Sequence, residues 1–246
     1  MKYAEYIPAD PLKAYIDVYW VLETGSLYKP FNRRIFADGC TEIFINMGTS
    51  RPIVNSITPL LPGNVYLGGT MTCSSVVTSV PNSAFVGIRF KPAGFSKFYT
   101  LSQNEIVDQI IEFPDKQLLS IIDLDAQLPA RLDKFFHSKI KDRFSTIIPI
   151  TETIDYYHGQ ISVDRLAAKH NVSNRTLERI FERYIGIPPK ELIKIIRFQN
   201  ASKRLQKDNS DQSLLNIAFE MGYYDHAHLT REVKKYSGLN PSEIKR

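Results

Sequence analysis

The hydrophobic and polar positions along this chain change their period once, and the change divides it. From about Tyr15 to Phe90 the apolar residues come in short runs: Tyr15–Leu22, Glu42–Asn46, Ser75–Val80 and Ala84–Phe90. These runs are rich in β-branched and aromatic residues, which suit extended backbone. Turn residues separate them at Asp38 and Gly39, Gly48, Pro62 to Asn64, Gly68 and Gly69, and Pro81 and Asn82. Several short strands punctuated in this way predict a sandwich or a barrel. The spacing then predicts helix over Ala93–Tyr99 and Glu105–Ile111. A further helix is expected around Leu128, Leu132, Phe135, Phe136 and Ile140.

From about residue 150 the helical period runs to the end, and one arrangement occurs twice. In the first copy Ser162 is placed to cap a short helix whose inner face holds Leu166 and Ala167. Val172 plugs a turn, and Ser173 or Asn174 caps a second helix. Leu177, Ile180 and Phe181 form one apolar stripe, with Asn174, Arg175, Glu178, Arg179 and Glu182 on the opposite face. In the second copy Leu214, Ile217, Ala218 and Met221 face inward, Gly222 ends the helix, Tyr223 plugs the turn and Asp225 caps the next helix. Leu229, Val233 and Tyr236 turn inward there. His226, Ala227, Thr230 and Arg231 face out, and Lys234 and Lys235 follow as phosphate contacts. Gly238 and Pro241 close that helix. Between the copies Leu192, Ile195, Ile196, Gln199 and Leu205 outline a long helix, followed by a polar loop over Asp208–Ser213.

A short helix, a tight turn and a second helix with a polar outer face make a helix-turn-helix, whose second helix enters the DNA major groove. Each outer face taken alone is an ordinary solvated surface; the preceding helix and turn change that reading. Two copies joined by a long helix predict two recognition helices in successive major grooves, roughly 34 Å apart. Charge agrees without deciding the matter. The net charge is +5, with 16 Lys and Arg against 12 Asp and Glu from Thr151 onward. A positive field is what phosphate binding requires.

With 246 residues, 43% of them hydrophobic, the chain has material for two ordinary domains. No apolar run approaches the ~20 residues needed to cross a bilayer. No export leader is read at Met1–Pro8, so a cytoplasmic protein with no membrane partner is expected. Cys40 and Cys73 are expected as free thiols in a reducing compartment. The five histidines, His137, His158, His170, His226 and His228, all lie outside the strand-rich stretch, so a histidine metal centre there is excluded by inventory. Asp38, Cys40, Glu42 and Cys73 form no metal motif, and neither a Gly-x-Ser-x-Gly elbow nor a phosphate loop is present. No catalytic residue, metal or cofactor is expected. A ligand pocket would draw on Trp20, Tyr66 and Arg89, beside Tyr19, Phe44, Phe85 and Phe90. The aromatics serve equally as core. Arg89 needs a partner in an apolar strand. Asp38 or Glu42, solvent, or a ligand's carboxylate or phosphate would each serve.

The C-terminal pattern resembles the AraC/XylS family of bacterial transcription regulators. It is carried by Ser173, Leu177, Arg179, Phe181, Gly186, Pro188, Arg197 and Ala201, then by Ile217, Ala218, Gly222, Tyr223 and Asp225. The run closes with Leu229, Arg231, Lys234, Lys235, Gly238, Asn240, Pro241 and Ser242. Val233 departs from the family's usual phenylalanine. The resemblance implies base contacts from Arg175, Glu178 and Arg179 in the first unit and from His226, Ala227, Thr230 and Arg231 in the second. Ala227 has only a methyl to offer, so the first unit is expected to carry more specificity.

The N-terminal half resembles the regulatory domain of an AraC-type subgroup of unassigned ligand, through Pro11, Leu12, Ile16, Tyr19 and Trp20, Asp38, Gly39, Glu42 and Ile45, and Gly87 to Gly94. Many of these proteins have proline before the Asp-Gly pair, where this chain has Ala37. The resemblance implies a multidomain α+β protein: a β-rich cupin-like barrel over 1–125, a helical connector over 126–149 and an all-α domain with two helix-turn-helix units over 150–246. The connector either pairs with its twin in a homodimer or packs on its own barrel. Double-stranded DNA, a small-molecule effector and RNA polymerase are the other partners implied. The alternative is an effector-independent DNA-binding protein whose N-terminal domain serves only dimerisation or protein docking.

Overall fold

The computed structural model describes residues 1–26, 28–140, 146–207 and 213–245. The strands are β1 (Lys2–Tyr6), β2 (Ile16–Glu23), β3 (Phe31–Ile35), β4 (Thr41–Asn46), β5 (Ile53–Val54), β6 (Thr58–Pro59), β7 (Val65–Gly68), β8 (Ser75–Ser79), β9 (Ala84–Phe90) and β10 (Ile110–Glu112). They form one sheet in the order β1-β2-β9-β4-β7-β10 and a second in the order β3-β8-β5-β6, with antiparallel pairs throughout. The four strands expected from the sequence are β2, β4, β8 and β9. Central β4 is buried along most of its length, as a strand flanked on both sides and covered must be.

The helix expected over Glu105–Ile111 does not form. Gln103–Glu105 is a single 3-10 turn, Asp108 takes a left-handed backbone (φ 57°), and Ile110–Glu112 pairs with the edge of β7. Covering that open edge outweighs the helical spacing. Ala93–Tyr99 is likewise reduced to a 3-10 turn at Gly94–Lys97.

The helices are α1 (Lys116–Leu119), α2 (Leu128–Lys139), α3 (Ile147–Tyr156), α4 (Val163–Lys169), α5 (Asn174–Tyr184), α6 (Pro189–Lys207), α7 (Leu214–Glu220), α8 (His226–Ser237) and α9 (Pro241–Ile244). The connector helix α2 packs on its own barrel. Leu128, Leu132 and Phe136 are buried in the barrel core, and Phe136 meets Phe90 and Phe98 edge-on at 5.6 and 5.1 Å. Asp133 on its flank accepts from the Tyr19 hydroxyl and the Ala9 N–H, both at 3.0 Å. The boundary expected near Phe144 and most of the polar loop over Asp208–Ser213 fall outside the described residues.

The helical half has one core, and that core runs on into the barrel. Ala37 and Ala93 are buried in it, with Tyr15, Phe36, Met71 and Val107 packed alongside. Polar links cross the seam as well. The Ala37 N–H donates to the Tyr236 carbonyl at 3.1 Å, the Gln199 side chain donates to the Ala37 carbonyl, and the Thr70 hydroxyl donates to the Ile185 carbonyl at 2.7 Å. A proline at position 37 would lack the first donor.

Candidate nucleic-acid interface and the cavity behind it

The two helix-turn-helix units are built by local capping and apolar stripes. Ser162 Oγ accepts from the Arg165 N–H and Ser173 Oγ from the Thr176 N–H; Ser213 and Asp225 do the same for Asn216 and His228. Gly222 takes the left-handed backbone (φ 73°) that turns the chain between α7 and α8. Leu177 and Phe181 are fully buried under α5; Leu229, Val233 and Tyr236 are fully buried under α8.

On the outer face of α5, Arg175, Glu178 and Arg179 are exposed. Asn174 is exposed too, but its amide is held by Asp164 at 2.6 Å. On α8, His226, Arg231 and Lys234 are exposed, while Ala227 and Thr230 are half-buried. The Thr230 hydroxyl donates back to the His226 carbonyl at 2.8 Å. Lys235 is exposed and ion-paired with Glu191 of α6, on the side of α8 near the barrel's Cys73. Arginine can grip a guanine edge with two hydrogen bonds, and glutamate can accept from cytosine, so the α5 face has base-reading chemistry.

Behind these helices lies a cavity of about 880 Å³ between the two sheets and the helical half. Its wall takes Trp20, Phe44, Phe85, Asp38, Glu42 and Arg89 from the barrel, and Thr151, Asp155, Leu192, Ile196, Gln199 and Lys203 from α3 and α6. Glu42 stands directly opposite Arg89 across β4 and β9. Arg89 Nε lies 3.4 Å from Glu42 and 3.8 Å from Asp38, which answers its need for a partner. Trp20 faces Gly87 in register, and its indole lies where a Cβ on Gly87 would collide with it. Its N–H donates to Glu42 at 2.5 Å. Burial pushes the Asp38 and Glu42 carboxyls up, and Arg89 pulls them back only in part.

Trp20 and Arg89 of the expected ligand set therefore meet at the cavity, whereas Tyr66 does not. Tyr66 is buried, stacks on Phe44 at 5.6 Å and accepts the Leu61 N–H at 2.6 Å, so both its ring and its hydroxyl are used by the core. The contribution of α3 and α6 to the cavity was not foreseen, because it exists only once the two halves dock. Among the described residues no group of three or more His, Cys, Asp or Glu side chains is placed to hold a metal, and no helix is long and apolar enough to cross a membrane.

Residues 166–246 match a family described as a helix-turn-helix domain, and residues 4–112 match a domain of unknown function (DUF6597). The chain is 34% identical over 84 residues to an uncharacterized HTH-type transcriptional regulator of Haemophilus influenzae, covering 34% of this chain and 28% of that one. It is 33% identical over 85 residues to the probable transcription factor PqrA of Proteus vulgaris, covering 35% of this chain and 68% of PqrA. Of the HTH-type transcriptional activator RhaS of Escherichia fergusonii it spans 32%, at 29% identity, so about a third of the length of several such relatives is shared. The whole two-domain arrangement superposes on ToxT of Vibrio cholerae with a TM-score of 0.52 at 11% identity, covering 88% of this chain and 97% of ToxT. A ToxT structure bound to (E)-4-(8-methylnaphthalen-1-yl)but-3-enoic acid superposes with a TM-score of 0.50 at 12% identity, covering 88% of this chain and 97% of that one. The chain belongs to the AraC/XylS family of transcription regulators and carries that family's helix-turn-helix domain.

Proposed function

We propose that this protein regulates transcription by sequence-specific binding to duplex DNA, with α5 and α8 in successive major grooves. The observation that carries this is the pair of capped helices with open polar faces, Arg175, Glu178 and Arg179 on one and His226 and Arg231 on the other. Ala227 and Thr230 would add contacts of short reach, and Asn174 and Lys234 would meet phosphates, while Lys235 is tied to Glu191 on the barrel side and would not. The barrel would act as regulator rather than catalyst. An effector in the shared cavity would touch both halves at once and shift the balance between two arrangements of the helical half, provided it binds them with different affinity. Recruitment of RNA polymerase from the bound position and a cytoplasmic location go with this reading.

Selection of bound duplexes from a random library by the full-length protein tests it. Two short enriched elements about one helical turn apart are expected. A single element or no enrichment would remove the paired-groove reading. Enrichment that changes when a metabolite mixture is added would support the effector, and indifference to it would favour a barrel that only docks other proteins.

A further inference from the structure

The cavity has a charged corner and an apolar end. In the corner, Glu42 Oε1 accepts from Trp20 and Asp38 Oδ1 accepts from the Cys40 N–H at 2.9 Å. Arg89 meets the two carboxylates through ion pairing, at 3.4 Å from Glu42 and 3.8 Å from Asp38. Both side chains lie deep in the protein, yet 24% of Asp38 and 23% of Glu42 remain accessible, facing the cavity they line. Two carboxylates against one guanidinium leave an excess of negative charge, while Asp17 on the same wall is exposed and screened. The other basic residues lining the cavity, Arg33, Arg34, Lys91 and Lys203, are exposed, where water and salt screen them, and Arg33 acts on Glu42 more weakly than Arg89 does.

Burial raises both carboxyls, and Arg89 offsets this only in part. An anionic head would enlarge a desolvated excess, and a cationic head would remove it. The Trp20 ring beside Glu42 supplies an aromatic surface, which attracts ammonium groups. Leu22, Phe44, Val54, Leu60 and Phe85 line the apolar end.

With the cavity taken as the effector site, we propose that its occupant is an organic cation. It is an amine or quaternary ammonium whose head sits among Asp38, Glu42 and Trp20 and whose apolar body lies against Phe44 and Phe85. This is the opposite charge class from the acid held by the ToxT structure.

Trp20 is the chain's only tryptophan, so emission excited selectively at tryptophan, apart from the 13 tyrosines, reports on this corner. Full-length protein is titrated with phenethylamine, phenethyl alcohol and hydrocinnamate, which share a body and differ in the head. Phenethylamine is expected to bind tightest, about tenfold or more over the alcohol, as a charge-assisted hydrogen bond implies. Hydrocinnamate is expected to bind weakest. The paired changes Glu42→Gln and Asp38→Asn should erase the amine's advantage, with thermal unfolding run in parallel; if that variant does not fold, the wild-type ranking decides alone. Tighter binding of hydrocinnamate, equal binding of all three, or no saturable response would overturn the proposal. Repeating the titration with operator DNA separates the two ideas. Amine binding that leaves DNA affinity unchanged keeps the ligand class and removes the effector role. Hydrocinnamate binding that shifts DNA affinity does the reverse.

Discussion

The two helix-turn-helix units share a plan and differ in what holds them. The first, α4 and α5, is closed by apolar burial and two serine caps, and its outer face is open and rich in charge. The second, α7 and α8, is pinned from within by charge. Glu232 on α8 is 6% exposed and accepts two bonds of 3.0 Å from Arg197 on α6, with His228 at 3.3 Å and Lys194 at 3.8 Å. The same guanidinium lies 4.6 Å over the ring of Tyr223, in the turn of that unit. The last turn of α8 then docks on Ala37 of the barrel. A duplicated topology has not duplicated the energetics. Both units touch the barrel, the first through the Thr70 bond to Ile185 at the end of α5 and the second through Ala37. In the proposed function the first unit is suited to discriminate sequence, and the second is also wired by charge to the central helix.

The largest expected effect breaks that wiring. Glu232→Ala strands a buried guanidinium and should cost about 3–5 kcal/mol in urea unfolding. Replacing the pair together, Arg197→Met with Glu232→Leu, should recover most of the loss. If Glu232→Ala costs less than about 1 kcal/mol, the internal pin is not what holds the second unit. The corresponding break in the first unit is apolar. Leu177→Ala should cost about 2–5 kcal/mol by the same measurement.

On DNA the contrast should run the other way. Arg179→Ala is expected to cost about 1–3 kcal/mol against the selected sequence, with unfolding unchanged. Arg231→Ala is expected to cost less, and a competition gel shift with both variants ranks them; the reverse ranking would move the specificity to the second unit. Ala37→Pro removes one hydrogen bond, about 0.5–1.5 kcal/mol. Hydrogen exchange should rise in α8 and stay level in α5, and an equal rise in both would mean that the barrel holds the two units alike. The smallest changes are the caps. Ser173→Ala and Ser213→Ala should each cost about 1 kcal/mol, and a difference between them measures how far each unit relies on its own first turn.

The helical half was legible because its signals are local. Ser162, Ser173 and Asp225 each cap a donor three residues on, and Gly222 and Gly238 sit where left-handed backbone ends a helix. The barrel was legible only where burial enforces a pattern. β1 is a mostly exposed edge strand, and β3 reads Phe-Asn-Arg-Arg-Ile; both exist because a neighbour needs pairing, which their own residues do not announce. Arg89 could be given a short set of partners from sequence, but choosing among them required the register that puts Glu42 opposite it. Tyr66 was misplaced for the converse reason: its hydroxyl had found a backbone N–H nearby.

Polar links across the seam end on main-chain atoms, the carbonyls of Tyr236, Ala37 and Ile185, set in an apolar packing of side chains. Replacing a side chain at those three positions does not delete the acceptor. Such a joint tolerates drift at the accepting positions while the backbone keeps its path and Thr70 and Gln199 are kept as donors. A barrel of this design can therefore be recombined with a reading head of different base preference without the coupling being invented anew.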